Sequence, residues 1–204
     1  RCKDVCPYDA ITKRVRPCAA ACGVNAIEND YLGRAKINYD KCVSCGMCMV
    51  SCPFAAIADK SQIFQLILAM KSGEEVIAEI APAFVGQFGP LATPDKIKEA
   101  LKLLGFSSVY EVALGADIGA LEEAHHYKKL VAPGILPFLA TSCCPSWSVM
   151  AKNTFPEMAG CISDALTPMV ATARLIKEKH PNAKVVFIGP CSAKKLEASR
   201  RSVR

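Results

Sequence analysis

Cysteine is packed so densely at the start of this sequence that an ordinary apolar core is hard to build there. Eight of the twelve cysteines fall within the first 52 residues. Four of them form the run Cys42-x-x-Cys45-x-x-Cys48-x-x-x-Cys52-Pro53. This is the bacterial spacing for a 4Fe–4S cluster, in which three cysteines wrap one cubane and the fourth ligates another. A zinc site needs only two Cys-x-x-Cys pairs. Disulfides need an oxidising compartment, and cysteines three apart in one loop seldom meet their geometry. The iron–sulfur reading therefore leads.

An internal repeat supports it. Cys6-Pro7-Tyr8-Asp9-Ala10-Ile11, Cys22-Gly23-Val24-Asn25-Ala26-Ile27 and Cys52-Pro53-Phe54-Ala55-Ala56-Ile57 share a Cys, an Ala-Ile pair, and another Cys four residues upstream: Cys2, Cys18 and Cys48. The pattern resembles bacterial ferredoxins, in which such a unit closes each half. Cys18 and Cys22 depart from it, because Thr12 and Val15 stand where two further cysteines would be. Cys2 and Cys6 supply the missing count. The resemblance implies one cluster on Cys42, Cys45, Cys48 and Cys22. A second would sit on Cys52, Cys18, Cys2 and Cys6, a grouping that rests on the count alone.

With 204 residues, 51% of them hydrophobic, the chain can bury a core of one or two domains. No run of 18 apolar residues is present, so no membrane span is expected. The sequence begins at Arg1 rather than Met, so it is expected to lie inside a longer product. Reduced cysteine at this density suits a reducing cytoplasm, as in an anaerobic bacterium. The formal net charge of +6 is a weak argument for nucleic acid. Two oxidised clusters with their thiolates add about −4, leaving about +2. The run Lys194, Lys195, Arg200, Arg201, Arg204 reads as a solvated helix face.

Beyond residue 59 the pattern changes to alternating strands and helices. A helix is expected over 61–72, a strand over 76–80 and a helix opened by Thr93-Pro94. A strand over 107–114 and a helix over 117–130 follow. Residues 136–140 read as a strand that runs into Thr141-Ser142-Cys143-Cys144-Pro145-Ser146-Trp147 and a helix to about 155. Thr167-Pro168 opens another helix. A buried strand over 184–188 runs into Gly189-Pro190-Cys191. The expectation is an α/β domain over 60–204 with a parallel sheet and flanking helices, preceded by a small α+β ferredoxin-like domain over 1–59. Both later cysteine motifs would then lie at carboxyl ends of strands, where α/β folds place their sites.

Taken singly, Cys143-Cys144 and Cys191 read as buried free thiols. Taken together, two segments resemble the first two signatures of iron-only (FeFe) hydrogenases, in family order. They are Thr141-Ser142-Cys143-Cys144-Pro145-Ser146-Trp147 and Pro190-Cys191-Ser192-Ala193-Lys194-Lys195-Leu196-Glu197. The resemblance implies the α/β hydrogenase catalytic domain, in part, and an H-cluster: a 4Fe–4S cubane joined to a two-iron unit. It implies that Cys144 and Cys191 ligate the cubane and that Cys143 relays protons. It further implies that Lys194 hydrogen-bonds a cyanide of the two-iron unit, with Glu197 orienting Lys194 from one helical turn on. Glu123, twenty residues before Cys143, and Ser163, twenty after it, match the family's proton path, and His126 stands at a later relay position that is usually Glu. Ala83 stands where many members have Ser, Gly189 where many have Met, and Ser146 where Gly is usual. With Cys161, these departures resemble a group B-like subgroup.

The resemblance implies the reaction H2 ⇌ 2H⁺ + 2e⁻. H2 and protons are then the substrates, and a ferredoxin-type or other redox carrier is the partner. The family's third signature, with two further cubane ligands, would lie beyond Arg204, and Cys161 alone does not replace it. Three alternatives stand: a non-catalytic iron–sulfur assembly protein, a sensory hydrogenase, and a plain electron-transfer ferredoxin module.

Overall fold

The computed structural model describes residues 2, 4–8, 10–11, 15–59, 61–200 and 203. The chain divides into two compact units, Arg1–Asp59 and Lys60–Arg204.

The first unit is built on short loops. It holds helix α1 (Pro17–Ala20), strands β1 (Ile27–Asn29) and β2 (Ala35–Ile37), and helix α2 (Met47–Val50). The strands pair antiparallel, Ile27 opposite Ile37. Asp30 ties their turn by accepting from Leu32 N at 3.0 Å, Arg34 N at 2.7 Å and Arg34 Nε at 2.7 Å. One loop is made twice. After Cys22 the Ala26 N–H donates to Cys22 Sγ at 3.1 Å, and after Cys52 the Ala56 N–H donates to Cys52 Sγ at 3.3 Å. Asn25 and Ala55, each three residues past its Cys, both have positive φ, 51° and 50°. The repeat in sequence is thus a repeat in backbone. Among the described residues, only Cys18, Ala26 and Val43 are buried apolar groups in this unit.

The second unit is organised by a parallel three-stranded sheet, in the order β4-β3-β5. The central strand β3 (Val76–Ile80) is buried at all five positions, as expected of a parallel strand covered on both faces. Its neighbours are β4 (Ser108–Glu111) and β5 (Lys184–Ile188). On one face Val76 and Ala78 pack with Phe106, against Met70 of helix α3 (Ile63–Lys71) and Leu101 of helix α4 (Pro94–Leu103). On the other face Ile77 packs with Ile176 and Ala183. Ile77 and Ile176 are fully buried, each worth about 1.5–3 kcal/mol of transfer free energy. Thr93 caps α4, its Oγ1 accepting from Lys96 N.

Helix α5 (Ala113–His126) continues into a π-helical turn over Tyr127–Val131 and packs on α7 (Pro168–Lys179). Gly115 permits this approach, because a Cβ there would lie 2.2 Å from the Pro168 carbonyl oxygen. Helix α6 (Pro145–Thr154) and helix α8 (Ser192–Ala198) complete the unit. No helix among the described residues is long and apolar enough to cross a membrane.

Three expectations need correction. The strand expected over 107–114 is Ser108–Glu111, and α5 starts at Ala113 rather than 117. Residues 136–140 form no strand. Pro137 lacks an N–H for a ladder, and only Ala140 pairs, in a single parallel bridge with Ile162. Finally, Lys194 is no solvated cation, its side chain being only 12% exposed. Arg201 and Arg204 of that basic run lie outside the described residues.

Candidate metal centre and proton path

In the first unit, backbone N–H groups point at cysteine sulfurs. Besides Cys22 and Cys52, Cys42 Sγ accepts from Ser44 N at 3.4 Å. Such donors stabilise a thiolate, the form that binds iron. The Cys52 thiol is drawn below its usual range, first by the Ala56 N–H and then by the Phe54 N–H. Burial pushes the Cys48 thiol up, with the Met49 N–H opposing. Cys18 is buried, Cys6, Cys22, Cys42, Cys48 and Cys52 are half-buried, and Cys2 and Cys45 are exposed. Cys18 and Cys48 occupy the same second position of α1 and α2. Thr12 and Asp9, which belong to the sequence repeat, lie outside the described residues. Among the described residues no three His, Cys, Asp or Glu side chains converge as a single-ion site. A cubane instead takes its thiolates at separate corners, and the sulfur-directed N–H groups suit it.

In the second unit, Cys144 and Cys191 stand in equivalent places. Each is the N-cap of a helix, α6 and α8, with extended backbone (φ −101°, ψ 107° and φ −93°, ψ 113°). Neither side chain makes a capping hydrogen bond, so both exposed thiols are available as ligands. Cys191 follows β5 after Gly189 and Pro190. Gly189 lets the chain pass close here, since a Cβ there would lie 2.5 Å from the Phe187 ring and 3.0 Å from Ala81 Cβ. The neighbouring turn Pro82–Phe84 carries Ala83, which is exposed and accepts from Gln87 Nε2 through its carbonyl at 2.7 Å.

Lys194 joins the two cysteine segments. Its Nζ donates to the Cys143 carbonyl oxygen at 2.9 Å and to Glu197 Oε2 at 2.8 Å. The Glu197 side chain is 7% exposed. The Cys143 thiol stays exposed, 3.8 Å from Thr141 Oγ1.

The single bridge at Ala140 sets the position of Ser163. Ala140 N donates to Cys161 O and Ser163 N to Ala140 O, both at 2.8 Å. Ser142 Oγ donates to Ala165 O at 3.1 Å, and the buried Ser163 Oγ accepts from Ala165 N at 3.2 Å. Ser163 therefore lies beside the Cys143 segment. Residues 164–168 then run along α5. Gly115 faces Pro168, Gly119 faces the Leu166 carbonyl at 3.8 Å, and His126 Nδ1 lies 3.8 Å from Asp164 Oδ1. Glu123 falls between Gly119 and His126 on that helix face, and both Glu123 and His126 are half-buried while Glu122 and His125 are exposed. Sequence reasoning missed Asp164, although it adjoins Ser163. It also missed Glu79, a lone charge inside the apolar strand β3.

Comparison with known proteins finds similarity in both units. Residues 74–204 match the family described as the iron only hydrogenase large subunit, C-terminal domain, and residues 35–58 match a 4Fe-4S binding domain. Over 98% of its length the chain is 27% identical to an NADP-reducing hydrogenase subunit of Solidesulfovibrio fructosivorans. Over 72% it is 32% identical to iron hydrogenase 1 of Clostridium pasteurianum. Over 83% it is 27% identical to cytosolic iron-sulfur assembly component 3 of Bos taurus. The chain spans 37%, 29% and 41% of the length of these three relatives.

Proposed function

The chain belongs to the iron-only hydrogenase large subunit, C-terminal domain family, and on that premise we propose that it is part of a catalytic hydrogenase interconverting H2 with protons and electrons. One observation carries this reading. The Lys194 ammonium, held by the Cys143 carbonyl and by Glu197, ties the Cys143-Cys144 segment to the helix that Cys191 precedes.

Cys144 and Cys191 would hold the cubane of an H-cluster, and a Lys194 N–H would meet an anionic ligand of its two-iron unit. When bound, that group supplies the redox chemistry of H2 ⇌ 2H⁺ + 2e⁻. The protein's part is to move protons and electrons. The Cys143 thiol takes and returns the proton, being exposed and free of a strong acceptor. Ser163, Glu123 and His126 carry it outward, His126 lying 3.8 Å from the Asp164 carboxylate. Residues 1–59 would be a two-cluster ferredoxin-type domain, on the cysteine groupings given above, passing electrons to a ferredoxin-type carrier in the cytoplasm. Residues 60–204 would be the N-terminal part of the catalytic domain.

The similarity to an assembly component supports a second, non-catalytic reading. The two separate on one experiment. The natural polypeptide containing this chain, matured so that infrared CO and cyanide bands are present, evolves H2 from a reduced one-electron carrier. Bands without H2 turnover would reject catalysis and favour assembly.

A further inference from the structure

Glu79 is a carboxylate where the fold offers no ordinary reason for one. It is the fourth of five residues in the central strand, 2% exposed, between Tyr110 of β4 and Phe187 of β5. Two residues earlier, Ile77 points the same way and packs on Ile176 and Ala183. Glu79 Oε2 is buried without a hydrogen-bond partner. The charges that act on it are Lys194 and Glu197 of α8, which bond each other while Lys194 also holds the Cys143 carbonyl.

We propose that Glu79 is a positioning residue for Lys194: a buried carboxyl, unpartnered at Oε2, that stays neutral and so leaves the ammonium on Glu197 and Cys143. Lys194 has three N–H donors. One goes to Glu197 and one to Cys143, so one remains. Two ionised carboxylates around one buried ammonium carry a net negative charge, which a low-dielectric interior penalises. A single proton on Glu79 brings the three groups to zero. As an acid, Glu79 does not compete for the ammonium. Ionised, it would draw Lys194 toward the sheet, away from the Cys143 carbonyl. Burial first, and the Glu197 charge with it, pushes the Glu79 carboxyl up to about 8 against the pull of Lys194, so the acid form persists at neutral pH.

The inference deepens the reading of Lys194 above, and its test uses the iron-free chain, so either can fail without the other. Infrared difference spectroscopy at pH 7 between the parent and Glu79→Gln is expected to reveal a protonated carboxyl band in the parent alone. Labelling of Lys194 by an amine-reactive probe, read by peptide mass spectrometry, should be equal in parent and Glu79→Gln at pH 7, because Gln copies a neutral acid. At pH 9 the parent, with Lys194 drawn toward the buried sheet, should label several-fold more slowly than Glu79→Gln. An ionised carboxylate band for Glu79 at pH 7 would overturn the proposal. So would a Glu79→Gln chain whose Lys194 labels at pH 7 as fast as it does in Glu197→Gln.

Discussion

Lys194 and Cys143 lie 51 positions apart and meet through one hydrogen bond, Lys194 Nζ to the Cys143 carbonyl at 2.9 Å. The bond fixes the turn before α6 to the first turn of α8, the two helices that Cys144 and Cys191 cap. Because Lys194 also neutralises the buried Glu197, the contact couples site geometry to stability.

Removal of one partner from that buried pair should therefore be expensive. Lys194→Ala strands the Glu197 carboxylate and is expected to cost about 3–5 kcal/mol. Lys194→Met combined with Glu197→Leu should recover most of that loss, since no charge is left unpaired. Urea unfolding of the iron-free chain measures both. A double variant as unstable as Lys194→Ala would show that packing, not charge, dominates there.

Glu79 gives a pH dependence with a definite sign. Its folded-state pKa of about 8 lies above the ordinary 4.5. Between those values the native chain keeps a proton that the unfolded chain has lost, so stability falls as pH rises through this window, by a few kcal/mol in all. Below about pH 4.5 both states are protonated and the penalty vanishes. Glu79→Gln should flatten this part of the profile and exceed the parent in stability at pH 8. Denaturant midpoints for both chains from pH 5 to 8 decide it, and parallel profiles would remove Glu79 as the cause.

The sequence announced elements whose signals are local. Thr93-Pro94 and Thr167-Pro168 open helices at Pro94 and Pro168, and the apolar runs at 76–80 and 184–188 are strands with those bounds. It misled where tertiary packing decides. Val112 ends the β-branched run, but α5 begins at once because Gly115 can press against the Pro168 carbonyl. Residues 136–140 look like a strand until Pro137 is counted, and then a single bridge at Ala140 does the strand's work of placing Ser163. The thiols of the site were legible because cysteine spacing is rare enough to carry meaning. Glu79 and Asp164 were not, because one carboxylate in a strand or a turn signals nothing until its neighbours are known.

The doubled Cys22 and Cys52 loops bear on the number of clusters. Matched positive-φ residues and matched N–H···S bonds give Cys22 the same loop as Cys52. With Cys18 placed like Cys48, two cubanes are expected, hence about eight irons for residues 1–59 after anaerobic reconstitution. Cys18→Ala should lower this to about four and leave the cluster on Cys42, Cys45 and Cys48 intact. Iron analysis and electron paramagnetic resonance of the reduced protein test it. About four irons in the parent would reject the grouping of Cys2, Cys6 and Cys18.

Cys143 and Cys144 are adjacent but differently placed, and they should fail differently. Cys144 stands at the N-terminus of α6 with its thiol making no capping bond, so on the proposed function Cys144→Ala would remove a cubane ligand and should prevent assembly of the H-cluster. Cys143 contributes its carbonyl to Lys194, a contact that any side chain preserves, and on the proposed function its thiol serves proton transfer alone. In the matured natural polypeptide, Cys143→Ala should keep the infrared CO and cyanide bands while H2 oxidation falls by about 10²–10⁴, the range for loss of a positioned acid–base group. Cys143→Asp restores a titratable group and should return part of the rate, with an altered pH profile. Near-normal rates in Cys143→Ala, or equal loss of the bands in both alanine variants, would show that the two thiols do not divide proton transfer from metal binding.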